Sequence, residues 1–306
     1  MPSAEIAVHT TIPPQRVDRN GLSIREDVLY TDVKGREKAR LRKRAERVFD
    51  DFGDVLRRVL EPNETIFYIA VAQVMPGAAT QFFGGGWHTY SLPRTLLFLT
   101  ERRIIALRVR RRAGGWKWNR GIRTVRWGDI ESTPIRGFAS RYLTLKFRDG
   151  EKLSYFRFGS GDLKKARLLI DVLRPNGSGE TTAAGAMKSL CPVCLAALSP
   201  RNYQCPGCGQ QFKDEKTLVR RGILIPGGAS FYVGSNVLGA LRAFSESIFL
   251  LVLLGFLAVA ISEPKGSKDA SIEFAGALFV LGVLALDKLM AIAVSRNQIR
   301  DFLPIK

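Results

Sequence analysis

A stretch before residue 61 repeats its apolar side chains with the period of an α-helix. Between residues 33 and 60 they recur at steps of four and three, which places them on one helical face. Lysine and arginine crowd the first half, so we predict a basic amphipathic helix over residues 33–60. Such a helix either lies on an anionic membrane or a phosphate backbone, or docks on the next domain with its charges in water. The apolar positions are Leu41, Ala45, Val48, Phe52, Val55 and Val59.

The residues before this helix show no comparable pattern. Residues 1–17 contain Pro13, Pro14 and scattered polar side chains, without the apolar run that a signal peptide needs. We therefore expect residues 1–32 to form a disordered N-terminal tail.

Beyond residue 60 the apolar period shortens. From residue 61 to residue 175 the chain has short alternating runs broken by Gly, Pro and Asp, a pattern typical of an antiparallel sheet. Residues 162–173 return to a helical stripe, and this helix could cap the open end of a strongly bent sheet. The predicted strands cover residues 65–74, 94–100, 103–109, 142–147 and 152–158.

Three runs in this region resemble the bacterial PH-like and GRAM-like domains. They are RTLLFLTERRIIALRVR at residues 94–110, VRWGDIE at 125–131 and LTLKFRDGEKLSYFRF at 143–158, and a closing helix follows them. The likeness covers about a third of the chain and lies in strand order. It implies a seven-stranded bent sheet plugged by one helix over residues 61–175. That fold serves lipid headgroups, peptides or scaffolding, so it does not decide the function.

All the cysteines of the chain lie in one short segment, CPVCLAALSPRNYQCPGCGQQF, which follows a linker-like stretch at residues 176–188. Two CxxC pairs can direct four thiolates at one ion and close a tetrahedral site. We therefore predict one structural zinc ion in a ribbon over residues 189–214, similar to the short ribbons of bacterial membrane proteins. The alternatives are two redox-active dithiols, which lack a thioredoxin-like context here, or a rubredoxin-like iron site. The predicted ligands are Cys191, Cys194, Cys205 and Cys208.

The last part of the chain, residues 217–306, contains two long apolar stretches. We predict transmembrane helices at about residues 243–262 and 273–294, joined by a tight turn. The alternative is a pair of buried helices in a soluble domain, but FLLVLLGFLAVAI has no polar face. Arginine flanks both outer ends of the hairpin, so both termini are expected in the cytosol at the inner membrane. Reduced cysteines fit that compartment.

Two charges in the apolar stretches are expected to meet. Glu246 and Lys288 are equally far from the middle of the turn, so they should reach similar depth and pair near the cytosolic boundary. The alternative is that Lys288 extends alone to the headgroups while Asp287 faces a neighbouring subunit. Before the first stretch, LVRRGILIPGGASFYVG resembles the PGxGxFYxG signature of small bacterial membrane proteins, which implies Phe231 and Tyr232 at headgroup depth.

The charge of the chain is concentrated before this region. The net charge is +19, and residues 231–306 hold seven Lys or Arg against six Asp or Glu. Cations and aromatics alternate after residue 107, a mixture that suits lipid headgroups or single-stranded nucleic acid. The alternative is a solvated hairpin with its tryptophans in the core. The candidate lipid-binding or phosphate-binding residues are Arg108, Arg110, Arg112, Trp116, Lys117, Trp118, Arg120 and Arg123.

Catalysis is not expected. The only histidines are His9 and His88, and no arrangement of nucleophile, base and acid can be identified. The patterns together predict a multidomain α+β protein: a bent antiparallel sheet capped by a helix, a zinc ribbon and a transmembrane hairpin. We expect a membrane-anchored adaptor that binds anionic lipid or a protein partner. A membrane-tethered nucleic-acid binder and an accessory subunit of a membrane complex are the alternatives.

Overall fold

A computed structural model describes residues 17–19, 21–75, 93–112, 115–137, 141–159, 161–174, 187–262 and 268–305. Histidines 9 and 88, and the predicted linker up to residue 186, lie outside these ranges. The described elements are β1 (Val17–Arg19), β2 (Leu22–Ile24), α1 (Glu26–Leu29), α2 (Ala39–Val59), β3 (Thr65–Val74), β4 (Arg94–Thr100), β5 (Arg103–Arg112), β6 (Gly115–Arg126), β7 (Ile130–Ser132), β8 (Ile135–Arg136), β9 (Tyr142–Phe147), β10 (Lys152–Phe156), α3 (Asp162–Leu173), β11 (Met187–Leu190), β12 (Ala197–Leu198), α4 (Glu215–Leu224), α5 (Gly228–Tyr232), α6 (Asn236–Ser262) and α7 (Lys268–Ile299).

The chain forms two compact units. The described residues up to 75, those from 93 to 199 and Cys205–Gly209 belong to the first, whereas Pro200–Gln204 and the residues from 210 onward belong to the second. The first unit contains the sheet and all four cysteines, and the second contains α4 to α7. The protein is therefore of mixed α+β class, as predicted.

A curled, mainly antiparallel sheet organises the first unit. The order of its main strands is β12-β11-β6-β5-β4-β3-β10-β9-β7. Strand β2 adds to β3 in parallel, and β8 adds to β9. Twelve strands join this sheet within the described residues, more than the seven that the family likeness implies. The additions come from both ends of the unit, since β1 and β2 precede the core strands and β11 and β12 follow them.

Both faces of the sheet are covered by a helix. Alternate residues of β5 enter different cores, because successive side chains of a strand point to opposite faces. Ile104 and Ala106 pack with α3, on what we call the α3 face. Ile105 and Leu107 pack with α2, on the α2 face. The central strands are therefore apolar on both sides.

Helix α2 docks on the sheet. Of the two predicted positions for the basic amphipathic helix, on an anionic surface or on the next domain, the structure shows the second. Its side chains Val48, Phe49, Phe52 and Leu56 are buried in the core of the α2 face. The helix begins at Ala39 and not at residue 33 as predicted. The reason is the turn before it, where the Asp32 carboxylate accepts the backbone N–H groups of Lys34 and Arg36.

The expectation of a disordered tail is wrong for residues 22–32. Leu22, Ile24, Leu29 and Tyr30 are buried in the core of the α2 face, and β2 pairs in parallel with β3. Two apolar residues two positions apart are too short a pattern to predict a strand. Residues 1–16 lie outside the described part of the chain.

The predicted linker is also wrong at its C-terminal end. Met187 and Lys188 belong to β11, where they lie opposite Val125 and Thr124 of β6. The cysteine segment therefore begins as an edge strand of the main sheet. Its backbone hydrogen bonds to β6 explain why so polar a stretch is ordered.

The second unit has its own small core, around Leu218, Ala229, Tyr232, Ile292 and Ile299. The C-terminal residues close this unit by pairing with the stretch before α4. The backbone N–H of Lys213 donates to Leu303 O at 2.8 Å, and that of Ile305 donates to Gln211 O at 3.0 Å.

A buried carboxylate ties α3 to the sheet and to α2. Asp162 is 1% exposed and lies in the first turn of α3. Its Oδ1 accepts the hydroxyl of Tyr68 at 2.8 Å, and its Oδ2 accepts Nη1 of Arg44 at 2.6 Å. Burial raises the pKa of Tyr68, and the Asp162 charge acts in the same direction. Because the carboxylate bridges three elements, its loss should loosen the whole unit.

We expect the substitution Asp162→Asn to lower the unfolding free energy by about 3–5 kcal/mol, because it leaves Arg44 without its carboxylate in a buried place. Asp171→Asn is the control on the same helix. The Arg167–Asp171 pair is about half exposed on both sides, so its loss should change stability by less than about 1 kcal/mol. Denaturation followed by tryptophan fluorescence measures both, since Trp116, Trp118 and Trp127 lie in this unit. Equal effects of the two substitutions would contradict the assignment.

Candidate metal centre and charged clusters

The four cysteine sulfurs lie together in the first unit, all within 4.8 Å of one another. The Sγ atoms of Cys191 and Cys208 are 3.7 Å apart, and those of Cys194 and Cys205 are 3.4 Å apart. Sulfurs that bind one tetrahedral ion at about 2.3 Å are separated by about 3.8 Å. The cluster can therefore hold a metal ion, and these distances exceed the length of a disulfide bond.

The two CxxC turns share one backbone pattern. The N–H of Leu195 donates to Cys191 O, and the N–H of Gly209 donates to Cys205 O, each at 3.0 Å. Leu195 and Gly209 both stand four residues after the first cysteine of their pair and both have positive φ, 64° and 71°. The repeated geometry directs both thiols of each pair toward a common point.

Close packing between the two turns requires a glycine. A Cβ atom on Gly207 would lie 2.9 Å from the Ala196 Cβ and 3.2 Å from the Cys194 Sγ. Only a residue without a side chain allows the second turn to approach the first so closely. Gly207 is therefore part of the metal site, although it offers no ligand.

Burial and backbone hydrogen bonds affect the thiols differently. Burial raises the pKa of the Cys191 thiol to about 12. Burial also acts on Cys205, but the N–H groups of Cys208 and Gly207 outweigh it and lower the pKa of that thiol to about 7. Because a metal ion binds the thiolate, binding must release protons from these side chains.

We expect Cys194→Ser and Cys208→Ser each to remove the bound metal, since a hydroxyl is a poor substitute for a thiolate ligand. The measurement is the metal content of the purified full chain by inductively coupled plasma mass spectrometry. The control Ser199→Ala, in the same segment, should keep about one ion per chain. A metal-free wild-type chain with four intact thiols would show that the cluster is not a metal centre.

The predicted basic and aromatic set does not form one surface. Trp116 and Trp118 are half-buried against the core of the α2 face, and Lys117 between them is exposed. Trp127 is fully buried, and its Nε1 donates to Thr100 O at 3.0 Å. The side chains of residues 110, 112 and 120 lie outside the described part. Trp127 is thus a core residue, whereas Trp116 and Trp118 are only partly covered by the fold.

Arg108 and Arg123 lie on the other side of the sheet. In β5, Arg108 follows Ile104 and Ala106 in the alternation that faces α3, and Arg123 lies opposite Ala106 on β6. Both side chains are half-buried. Sequence reasoning did not find Thr95, which lies opposite Arg108 on the neighbouring strand β4. Spacing along the chain does not predict such a contact, because it arises from the pairing of strands in the sheet.

A cavity of about 280 Å³ lies beside the N-terminus of α3, with Asp32, Lys38, Tyr68, Asp162 and Lys165 in its wall. Its buried charges have partners within the fold. The Lys165 Nζ donates to the backbone oxygens of Val28 and Thr31, and Asp162 is bound as described above. Burial lowers the pKa of Lys165 to about 8. The polar wall of this cavity thus serves the structure.

In the second unit, two helices are long and apolar enough to cross a membrane. They are α6, with 27 residues, and the 29-residue stretch Ser271–Ile299 of α7. Both extend beyond the predicted spans. Large apolar side chains of α6 are exposed, with Leu241 at 63% and Phe244 at 70%. Water does not favour such a surface, whereas lipid does.

Glu246 and Lys288 lie side by side between these helices. The Lys288 Nζ is 2.8 Å from Glu246 Oε2 and donates to Gly222 O of α4 at 3.2 Å. The Glu246 side chain is 2% exposed and that of Lys288 is 16% exposed. Asp287, for which the alternative was a neighbouring subunit, lies 3.9 Å from the Arg242 guanidinium.

The bend before α6 separates the two aromatics that were expected together at headgroup depth. Phe231 is 42% exposed, but Tyr232 is buried, and its hydroxyl donates to the Asp214 carboxylate. Glycines permit this bend. A Cβ on Gly227 would lie 2.2 Å from Gly239 O, and a Cβ on Gly239 would lie 2.6 Å from the Phe231 ring.

Removing one partner of the Glu246–Lys288 pair should destabilise the helix pair more than removing both. We expect Glu246→Leu and Lys288→Met each to lower the unfolding temperature in a lipid nanodisc, because the remaining charge loses its partner. The double variant should recover most of the loss, with a coupling of about 1–3 kcal/mol. Ser247→Ala, on the same helix, is the control. Additive effects of the two substitutions would show that the pair does not stabilise the unit.

Comparison with known proteins identifies no family. No protein-family model matches the sequence, and no curated protein matches it. A solved structure described as the C-terminal domain of an unknown protein from Leishmania infantum matches at 13% identity, with a TM-score of 0.25. The match covers 40% of this chain and 90% of that chain, and at this score it carries no argument. The fold and the site define an α+β protein with a four-cysteine cluster that can hold a metal ion and two helices that can span a membrane.

Proposed function

We propose that the chain is a non-enzymatic, membrane-anchored adaptor whose first unit binds anionic lipid headgroups. The observation that carries this proposal is that one chain contains both two long apolar helices and a strongly basic folded unit. Almost all of the net charge of +19 precedes residue 231, whereas the helices follow it. A basic unit tethered to a membrane stays within reach of phospholipid phosphates, where each added cation contributes about 1 kcal/mol.

The burial of the tryptophans favours lipid over nucleic acid. Single-stranded nucleic acid is held by bases that stack on exposed aromatic rings. Trp116 and Trp118 are instead half-buried against the core of the α2 face, so neither ring is fully open to stacking. Charge recognition without stacking fits a headgroup better.

In this proposal the metal is zinc and its role is structural. Four thiolates close the coordination sphere and leave no position for a substrate or for activated water. The ion would hold β11 and β12 on the edge of the sheet, since these strands flank the first CxxC turn. Free thiols agree with a reducing compartment. Both termini would then face the cytosol, in agreement with the arginines at the outer ends of the two helices.

The test uses the full chain in nanodiscs of neutral phosphatidylcholine, mixed with vesicles that contain phosphatidylserine or with a single-stranded oligonucleotide. We expect the anionic vesicles to be captured, and capture to weaken as the salt concentration rises from about 50 to about 300 mM. Over this range the Debye length falls through about 10 Å, so contacts between exposed charges are increasingly screened. Empty nanodiscs are the control. Oligonucleotide capture without vesicle capture would replace the proposal with a membrane-tethered nucleic-acid binder. Capture of neither would favour a subunit of a larger assembly.

A further inference from the structure

The exposed side of α4 changes character along the helix. Lys216 and Arg220 are exposed in its first part. Three consecutive apolar side chains follow at its end, and all of them are exposed. They are Ile223 at 56%, Leu224 at 68% and Ile225 at 48%. The exposed surface of α4 is thus basic at one end and apolar at the other.

Two close contacts fix the apolar end of α4 in the second unit. The backbone oxygen of Gly222 accepts the Lys288 Nζ of α7 at 3.2 Å. A Cβ on Gly222 would lie 2.7 Å from the Ile292 Cγ1, so α4 approaches α7 as closely as a glycine permits. Lys288 is in turn 2.8 Å from Glu246 of α6. The apolar end of α4 therefore lies at the level of the Glu246–Lys288 pair.

The bend that follows α4 packs on α6. A Cβ on Gly227 would overlap Gly239 O, and a Cβ on Gly239 would lie 2.6 Å from the Phe231 ring. Phe231 is itself exposed, so it extends the apolar surface from the end of α4 across the bend. This surface adjoins the helix that also exposes Leu241 and Phe244. The apolar end of α4 is thus continuous with a surface that suits lipid.

The length of α6 indicates the depth of this region. Its 27 residues extend about 40 Å, whereas the hydrocarbon core of a membrane is about 30 Å thick. A span of about 20 residues that ends at Ser262 begins near Ala243. A Cβ on Gly227 would lie 3.0 Å from the backbone nitrogen of Ala243. The bend therefore lies where the hydrocarbon core meets the headgroups.

The backbone of the bend suits that depth. A peptide group in the hydrocarbon region needs a hydrogen-bond partner within the protein, because water is absent there. The N–H of Ile225 donates to Arg221 O at 3.0 Å, and that of Gly228 donates to Ile225 O at 2.9 Å. Pro226 between them has no N–H to satisfy. The donors at these positions therefore need no water.

We propose that residues 223–231 insert into the membrane leaflet on the side of the Glu246–Lys288 pair, as a third contact besides the two spans. Acyl chains cover the exposed apolar side chains, while Lys216 and Arg220 reach the headgroup phosphates from the same helix. A membrane boundary has this same order of phosphate above hydrocarbon. The inference rests on the membrane anchoring in the proposed function, but it does not require headgroup binding by the first unit.

The experiment adds one tryptophan at a time to the full chain, in nanodiscs of phosphatidylcholine with or without bromine in the upper part of the acyl chains. Bromine quenches tryptophan fluorescence only at short range. Leu224→Trp probes the apolar end of α4, and Lys216→Trp is the matched control on the same helix. Leu254→Trp, at an exposed position of α6, reports on the span itself. The unsubstituted chain gives the background of its four native tryptophans.

We expect brominated lipid to quench the added fluorescence of L224W at least about twofold more than that of K216W, because the two positions are about 12 Å apart along the helix axis. L254W should be quenched as well. Ile223→Trp is a second probe of the apolar end, which keeps the test valid if L224W does not fold.

The possible results separate this inference from the proposed function. Quenching of L254W, with the apolar end quenched no more than K216W, would overturn the insertion and leave the membrane anchoring intact. A blue-shifted emission of L224W that bromine does not quench has the same consequence, since protein would then cover the site, from the first unit or from a second copy. Absence of quenching in all variants would overturn the anchoring itself, and the proposed function with it.

Discussion

Burial of both faces of one sheet is the constraint on which the first unit depends. Strands β3 to β6 send alternate side chains into two cores, one under α2 and one under α3. Most side chains at the centre of these strands are buried, and a polar side chain buried among them must have a partner. Glu64 and Arg103 meet this demand, with the Arg103 Nη2 2.7 Å from Glu64 Oε2 and the Thr100 hydroxyl donating to Glu64 Oε1. Thr95 differs from them, because its buried hydroxyl has no hydrogen-bond partner among the described residues.

The four-cysteine cluster is built on that sheet and is not a separate module. β11 pairs with β6 and β12 pairs with β11, so the first CxxC turn is held between two short strands at the edge. Short edge strands with few hydrogen bonds hold weakly by themselves. Hydrophobic burial adds little here, since residues 187–190 are only half-buried. A metal bound there would order the edge of the sheet as well as its own loops.

Strong local periodicity is what made much of this fold predictable. The apolar face of α2, the strands β3, β4, β5, β9 and β10 and the helix α3 each contain enough residues to show a period of 3.6 or of two. The four-cysteine cluster was predictable because each pair is set by local spacing. The segment of Leu22 and Ile24 was missed because it is stabilised by tertiary contacts and hardly by its own pattern.

The predicted set of cations and aromatics shows where local pattern fails. The sequence groups Arg108 with the nearby tryptophans, but strand alternation turns Arg108 toward α3 and the tryptophans toward α2. Its neighbour Thr95 is defined by the order of the strands and by the register between β4 and β5. Neither property can be read from composition or from distance along the chain.

In the second unit, a contact between residues far apart in sequence was nevertheless predictable, because a hairpin of straight helices follows a simple rule. Equal distance from the turn gives equal depth when each residue advances the helix by about 1.5 Å. Glu246 and Lys288 follow this rule and lie 2.8 Å apart. The rule does not extend to the bend before α6. There the position of Gly222 O, which accepts Lys288, depends on close approaches at Gly222 and Gly227 that only glycine permits. The lysine is thus held by one partner that helix geometry predicts and by another that follows from the packing of the bend.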